Sequence, residues 1–112
     1  MKHYALGRLK QGEMNKTEQE YARLLENMKH AGEIIWYSFE GMKFRLADKT
    51  FYTPDFIVLT KEGYMEAHEV KGYWMDDARV KIKVAASMYP IKFKAIKKRP
   101  KKDGGGWELE DF

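Results

Sequence analysis

The chain has no cysteine, which excludes disulfides, thiolate nucleophiles and cysteine-based zinc sites and suits a reducing compartment. No apolar run approaches the roughly twenty residues of a membrane span. Met1-Lys2-His3-Tyr4 does not open a secretory signal, so a cytoplasmic protein without membrane contact is expected. Internal repeats are also missing. Acidic residues fall slightly short, 17 against 21 Lys and Arg, and the resulting +4 favours polyanionic partners without requiring them.

What is present is enough for one folded domain. The 112 residues are 44% hydrophobic and 14% aromatic, which supports a single core without structural metal. Met1 to Glu13 carries Lys2, His3, Arg8 and Lys10 and reads as a basic arm (residues 1–13), leaving residues 14–112 as the domain. Asn15…Glu18 and Thr17…Glu20 both fit a capping box, and the helix they open runs to about His30, ended by Gly32. Its apolar stripe is Tyr21, Ala22, Leu24, Leu25 and Met28; Glu18 lies roughly 50° from the stripe centre and borders the buried side, whereas Glu20 lies more than roughly 100° away.

Strand-like segments follow at Glu33 to Glu40 and Met42 to Ala47, then a turn at Asp48-Lys49 and Phe51-Tyr52-Thr53. Phe56 to Leu59 and Glu66 to His68 flank Lys61-Glu62-Gly63, a three-residue hairpin turn with glycine at its left-handed position. Pairing symmetric about Glu62 sets Asp55 opposite Glu69. One face then carries Asp55, Ile57, Leu59, Met65, Ala67, Glu69 and Lys71, and the other Phe56, Val58, His68 and Val70. Both faces hold apolar residues, so both are expected to be covered. Asp76 or Asp77 caps a second helix through Met88, stopped by Pro90, and Ile91 to Ile96 follows as the return strand of a β-α-β crossover. Gly104-Gly105-Gly106 links to a short closing strand at Trp107 to Glu110. The fold class is α/β, a mixed sheet flanked by helices in α-β-β-β-α-β order.

Two carboxylates facing each other on paired strands repel, so Asp55 and Glu69 ask for a cation. An oxygen-only set of Asp55, Glu69 and Glu18, with the Val70 carbonyl as a further ligand, is the set that Mg²⁺ or Mn²⁺ prefers. Such an ion holds a phosphate oxygen and acidifies a water, while Lys71 adds positive charge beside the same phosphate. The chemistry described is phosphodiester hydrolysis.

Pro54-Asp55 followed by Glu69-Val70-Lys71 resembles the signature of the PD-(D/E)XK nuclease superfamily. With Asn15-Lys16-Thr17-Glu18, Tyr52-Thr53-Pro54-Asp55-Phe56, His68-Glu69-Val70-Lys71-Gly72 and Tyr89-Pro90, the chain looks more closely like small phage and prophage proteins related to Holliday-junction resolvases. The resemblance covers roughly Met14 to Lys97, most of the chain. It implies a restriction-endonuclease-like core, DNA as partner with branched DNA as substrate, and a homodimer in the cytoplasm of a bacterial host. It puts metal binding on Asp55 and Glu69, a joining glutamate on Glu18, and assistance to the nucleophile on Lys71.

Other readings stand beside these. The acid, acid, lysine set could be an exposed salt bridge, Glu18 a cap with Glu20 as substitute ligand, and Asp76 and Asp77 caps. His68 is expected to pack on the far face. Tyr73 and Trp74 either pack in the core or stack on a base. Arg79, Lys81 and Lys83 line a DNA groove or form a solvated face. Lys97, Lys98 and Arg99 belong to an acid-free run from Lys92 to Lys102, which is either a solvated strand edge or a phosphate-contacting surface. Trp36, Tyr37, Phe39 and Trp107 are candidates for a dimer interface. A nickase or exonuclease, or a non-catalytic DNA-binding module, are the alternative functions.

Overall fold

The computed structural model describes residues 12–71 and 76–112, with the backbone alone for Asp76 and Asp77. Most of the basic arm, together with Gly72, Tyr73, Trp74 and the capping side chains of Asp76 and Asp77, lies outside the described residues. The first helix, α1 (Lys16–His30), starts in a reciprocal capping box. Glu18 N donates to Asn15 Oδ1 at 2.8 Å and Asn15 N donates to Glu18 Oε1 at 2.9 Å, satisfying two of the helix's otherwise unpaired N–H groups. The expected stripe faces inward: Tyr21 and Leu25 are buried, and Ala22, Leu24 and Met28 pack around them.

Five strands precede the second helix: β1 (Ile34–Phe39), β2 (Phe44–Ala47), β3 (Thr50–Tyr52), β4 (Phe56–Thr60) and β5 (Met65–Lys71). Then come α2 (Asp76–Met88), β6 (Lys92–Lys98), a 3-10 turn at Lys101–Asp103 and β7 (Trp107–Asp111). The main sheet has five strands in the order β1-β4-β5-β6-β7; β5 and β6 are parallel and the other pairs antiparallel. The helix between β5 and β6 is what allows that parallel pair, as the crossover reading expected.

The helices and main-sheet strands follow the α-β-β-β-α-β order as α1-β1-β4-β5-α2-β6, with β7 added at the edge. β2 and β3 leave the main sheet and pair only with each other, as a two-stranded ribbon. Their tight turn at Asp48-Lys49, with Lys49 at a φ of 54°, closes the ribbon locally. Its apolar side packs onto α2 and the sheet instead of extending the ladder.

The sheet is covered on both faces. Against α1 lie Ile34, Phe56, Val58, Val70 and Ile96; against α2 and the ribbon lie Ile57, Ala67 and Phe93, meeting Ile82, Ala85, Phe44 and Tyr52. Full burial of side chains such as Leu25, Phe56, Ile57 and Ile82 contributes about 1.5–3 kcal/mol each. β6 lies inside the sheet, so the lysine run is not a solvated strand edge. Neighbouring acids compensate much of it: Lys94 lies 3.6 Å from Glu66, Lys98 2.6 Å from Glu20 and Arg99 3.7 Å from Glu108. No helix among the described residues is long and apolar enough to cross a membrane.

Candidate active site

The β4–β5 hairpin has the register its sequence implies. Phe56 pairs with His68, Ile57 with Ala67, Val58 with Glu66 and Leu59 with Met65, all symmetric about Glu62. Gly63 adopts a φ of 94°, and its N–H donates to the Thr60 carbonyl at 2.9 Å while Thr60 N donates to Tyr64 O at 2.8 Å. That closed turn fixes the register. One step beyond the Phe56 pair, it sets Asp55 opposite Glu69.

At this end of the hairpin the predicted residues converge. Lys71 Nζ lies 2.9 Å from Glu69 Oε2, with Glu69 buried and Lys71 about a quarter exposed (side-chain exposure 28%). Asp55 Oδ2 accepts a hydrogen bond from Val70 N at 2.8 Å. A strand residue points its N–H and C=O toward the same neighbouring strand. The Val70 carbonyl therefore faces the Asp55 side, as a backbone ligand requires. The exposed salt-bridge reading of these residues is set aside, because Glu69 is only 6% exposed.

Burial, then the charges of Glu69 and Glu18, push the Asp55 carboxyl up to about 9, against the lowering effects of Val70 N–H and Lys71. Without a cation the pair holds a proton in place of one negative charge. Lys71 is raised as well: burial opposes its charge, but the carboxylates of Glu69, Asp55 and Glu18 outweigh it and keep it an ammonium. Glu18 thus acts on both groups electrically while its Oε1 serves the helix cap. Glu20 is held by Lys98 and does not substitute for it.

Tyr52, which sequence reasoning passed over as a site residue, completes the arrangement. Its hydroxyl donates to Glu69 Oε1 at 2.8 Å, and burial followed by the Glu69 charge raises its pKa strongly. The available signal was an aromatic with a polar tip just ahead of Pro54-Asp55: a buried tyrosine hydroxyl needs an acceptor.

A cleft of about 330 Å³ opens beside these groups, lined by Phe51, Tyr52, Thr53, Glu69, Lys71 and Lys81. Lys97 is the register neighbour of Lys71 on the parallel strand and shares its face, while Lys83 is exposed on α2. The other basic candidates are engaged. Arg79 forms a two-pronged contact with Glu110 at 3.0 and 2.6 Å and lies over the Phe112 ring. Lys98 holds Glu20 on the α1 face, and Arg99 donates to the Trp107 carbonyl.

His68 lies on the far face, as its strand parity requires. Its Nδ1 is 2.7 Å from the Tyr21 hydroxyl and its Nε2 2.9 Å from Glu66 Oε1. The carboxylate accepts from Nε2–H, so a neutral ring leaves Nδ1 to accept from Tyr21.

Two carboxyl groups and one backbone carbonyl fit a hard divalent cation that keeps several waters. No group of three or more His, Asp or Glu side chains is gathered for a metal among the described residues. Glu18 lies close enough for its charge to act on Asp55, with its Oε1 engaged in the helix cap.

The class defined so far is a mixed α/β domain with an acid, acid, lysine cluster in a basic cleft. Searches of family models, curated proteins and solved structures find no match to the chain.

Proposed function

We propose that the chain is a metal-dependent endodeoxyribonuclease with a restriction-endonuclease-like core, cleaving phosphodiester bonds in branched DNA. The setting is phage or prophage recombination or replication in a bacterial cytoplasm. The supporting observation is the meeting of Asp55, Glu69 and Lys71 at one end of a registered hairpin, beside the cleft lined by Lys81. Asp55, Glu69 and the Val70 carbonyl are the residues that would hold Mg²⁺ or Mn²⁺. A bound ion would supply charge to a phosphate oxygen and acidify a water.

The chain's own groups do the remainder. Asp55, protonated in the metal-free fold, would have to release its proton to serve as a ligand. Tyr52 keeps Glu69 Oε1 oriented. Lys71 exchanges part of its contact with Glu69 for a phosphate oxygen, offsetting charge that grows in the transition state. Lys81 and Lys97 neutralise flanking phosphates.

Paired nicks across a junction need two active sites, so the active form is a homodimer. Of the four aromatic interface candidates, Trp36 is 44% exposed, beside Ile35 at 53%, on the uncharged edge strand β1. Tyr37, Phe39 and Trp107 pack against the α1-side core instead.

The test is incubation with Mg²⁺ and equal amounts of four-way junction, linear duplex and single-stranded DNA. Cleavage of the junction is expected. Products from linear strands alone would reassign the protein as a nickase or exonuclease. Absence of Mn²⁺ binding by calorimetry would leave a non-catalytic DNA-binding module.

A further inference from the structure

The β2–β3 ribbon is two-sided in a way the cleavage chemistry does not use. Its inward residues Phe44 and Tyr52 are buried in the α2-side core, with Leu46 packed against them. The alternating outward positions are Lys43, Arg45 and Phe51. Phe51 is 42% exposed, stands across the ladder from Arg45, and lines the same cleft as Glu69, Lys71 and Lys81. Lys43 Nζ lies 4.5 Å from the centre of the Phe51 ring, and the Arg45 side chain is 61% exposed.

A large apolar ring facing water costs solvation that a core position would recover. Here it has the Lys43 ammonium over its ring and Arg45 as its ladder partner, and it lines a cleft that also holds Lys71 and Lys81. A nucleobase satisfies both features: its flat face covers the ring, and its phosphate meets an ammonium already held there. A base paired inside a continuous duplex cannot offer that face, because its neighbours on both sides already stack on it.

We infer that Phe51, with Lys43 and Arg45, forms a stacking platform for an unpaired DNA base adjoining the scissile phosphate. This rests on the nuclease reading for the words "scissile phosphate". The platform itself selects DNA with a strand break, flap or branch next to the cleft over continuous duplex. None of the three residues belongs to the basic groups singled out from the sequence.

Binding measured in EDTA separates this inference from the cleavage reading. The probes are a blunt duplex and the same duplex with an unpaired branch carrying 2-aminopurine at the first unpaired position, followed by anisotropy and fluorescence. The wild type is expected to prefer the branched probe and to quench the 2-aminopurine. Phe51→Ala should lose about five- to a hundred-fold in affinity for the branched probe, abolish the quenching, and leave blunt-duplex binding within two-fold. Phe51→Trp should retain both signals. Lys43→Ala should weaken both probes and flatten the salt dependence.

Equal losses on both probes for Phe51→Ala, no loss, or no quenching by the wild type overturns the platform. Because Phe51 lies outside both buried core clusters, the variant is expected to fold, and an unchanged circular dichroism spectrum checks this. Mg²⁺-dependent cleavage without branch preference would remove the platform and keep the nuclease. Branch-selective quenching without cleavage would do the reverse.

Discussion

The Tyr52 hydroxyl and the Glu69 carboxylate share a 2.8 Å hydrogen bond between two buried side chains, linking the β2–β3 ribbon to the central strand of the sheet. Tyr52→Phe removes the donor and leaves Glu69 Oε1 buried without it. A stability loss of about 1–3 kcal/mol is expected in urea denaturation. Mn²⁺ affinity, measured by calorimetry, should fall about ten- to a hundred-fold, as it does when an outer partner of a metal ligand is lost.

Asp55→Ala and Lys71→Ala should each reduce Mg²⁺-dependent cleavage by about a hundred-fold or more, with DNA affinity retained. Gel-based cleavage and anisotropy on the same DNA check the two halves separately. Wild-type turnover in either variant would refute the assigned roles.

Asp55 makes stability depend on pH in an unusual direction. Its carboxyl is held at about 9 in the fold, above its ordinary 3.8, so the folded state keeps a proton that the unfolded chain releases. The contribution is fully present below about 4 and is lost as pH rises toward 9. Metal-free protein should therefore be less stable at pH 8.5 than at pH 6 in thermal melts. Asp55→Asn should flatten that slope, and Mg²⁺ should raise the wild-type Tm more at the higher pH.

The Tyr21, His68 and Glu66 chain supplies a control on the opposite face of the sheet. Tyr21 is 4% and His68 6% exposed, so Tyr21→Phe should cost about 1–3 kcal/mol in urea denaturation. Cleavage under stabilising conditions should stay within two-fold of wild type. Comparable stability losses with different catalytic losses would distinguish Tyr52 from Tyr21.

Local signals carried much of the fold. The capping box at Asn15, the stripe through Tyr21 and Leu25, the turn at Gly63 and the hairpin register are each written within a few residues, and each forms as read. The crossover to β6 was legible from the strand-helix-strand spacing. What escaped depends on distant packing. Nothing local tells whether Phe44 to Tyr52 extends the main sheet or folds onto α2, and the answer decides where Tyr52 and Phe51 go. The basic candidates divided for the same reason: Arg79 meets Glu110 across 31 positions and Lys98 meets Glu20 across 78. Lys81, on the cleft, kept a place that its helix position alone left open.

Glu69 and Val70 sit in β5, which has β4 along one edge, β6 along the other, and core packing above and below. Such a segment has no frayed stage between ordered and denatured, because releasing it breaks two ladders and two packed layers together. The proposed catalytic groups therefore share the cooperativity of the whole domain: on heating, loss of function and loss of tertiary structure should fall on one curve.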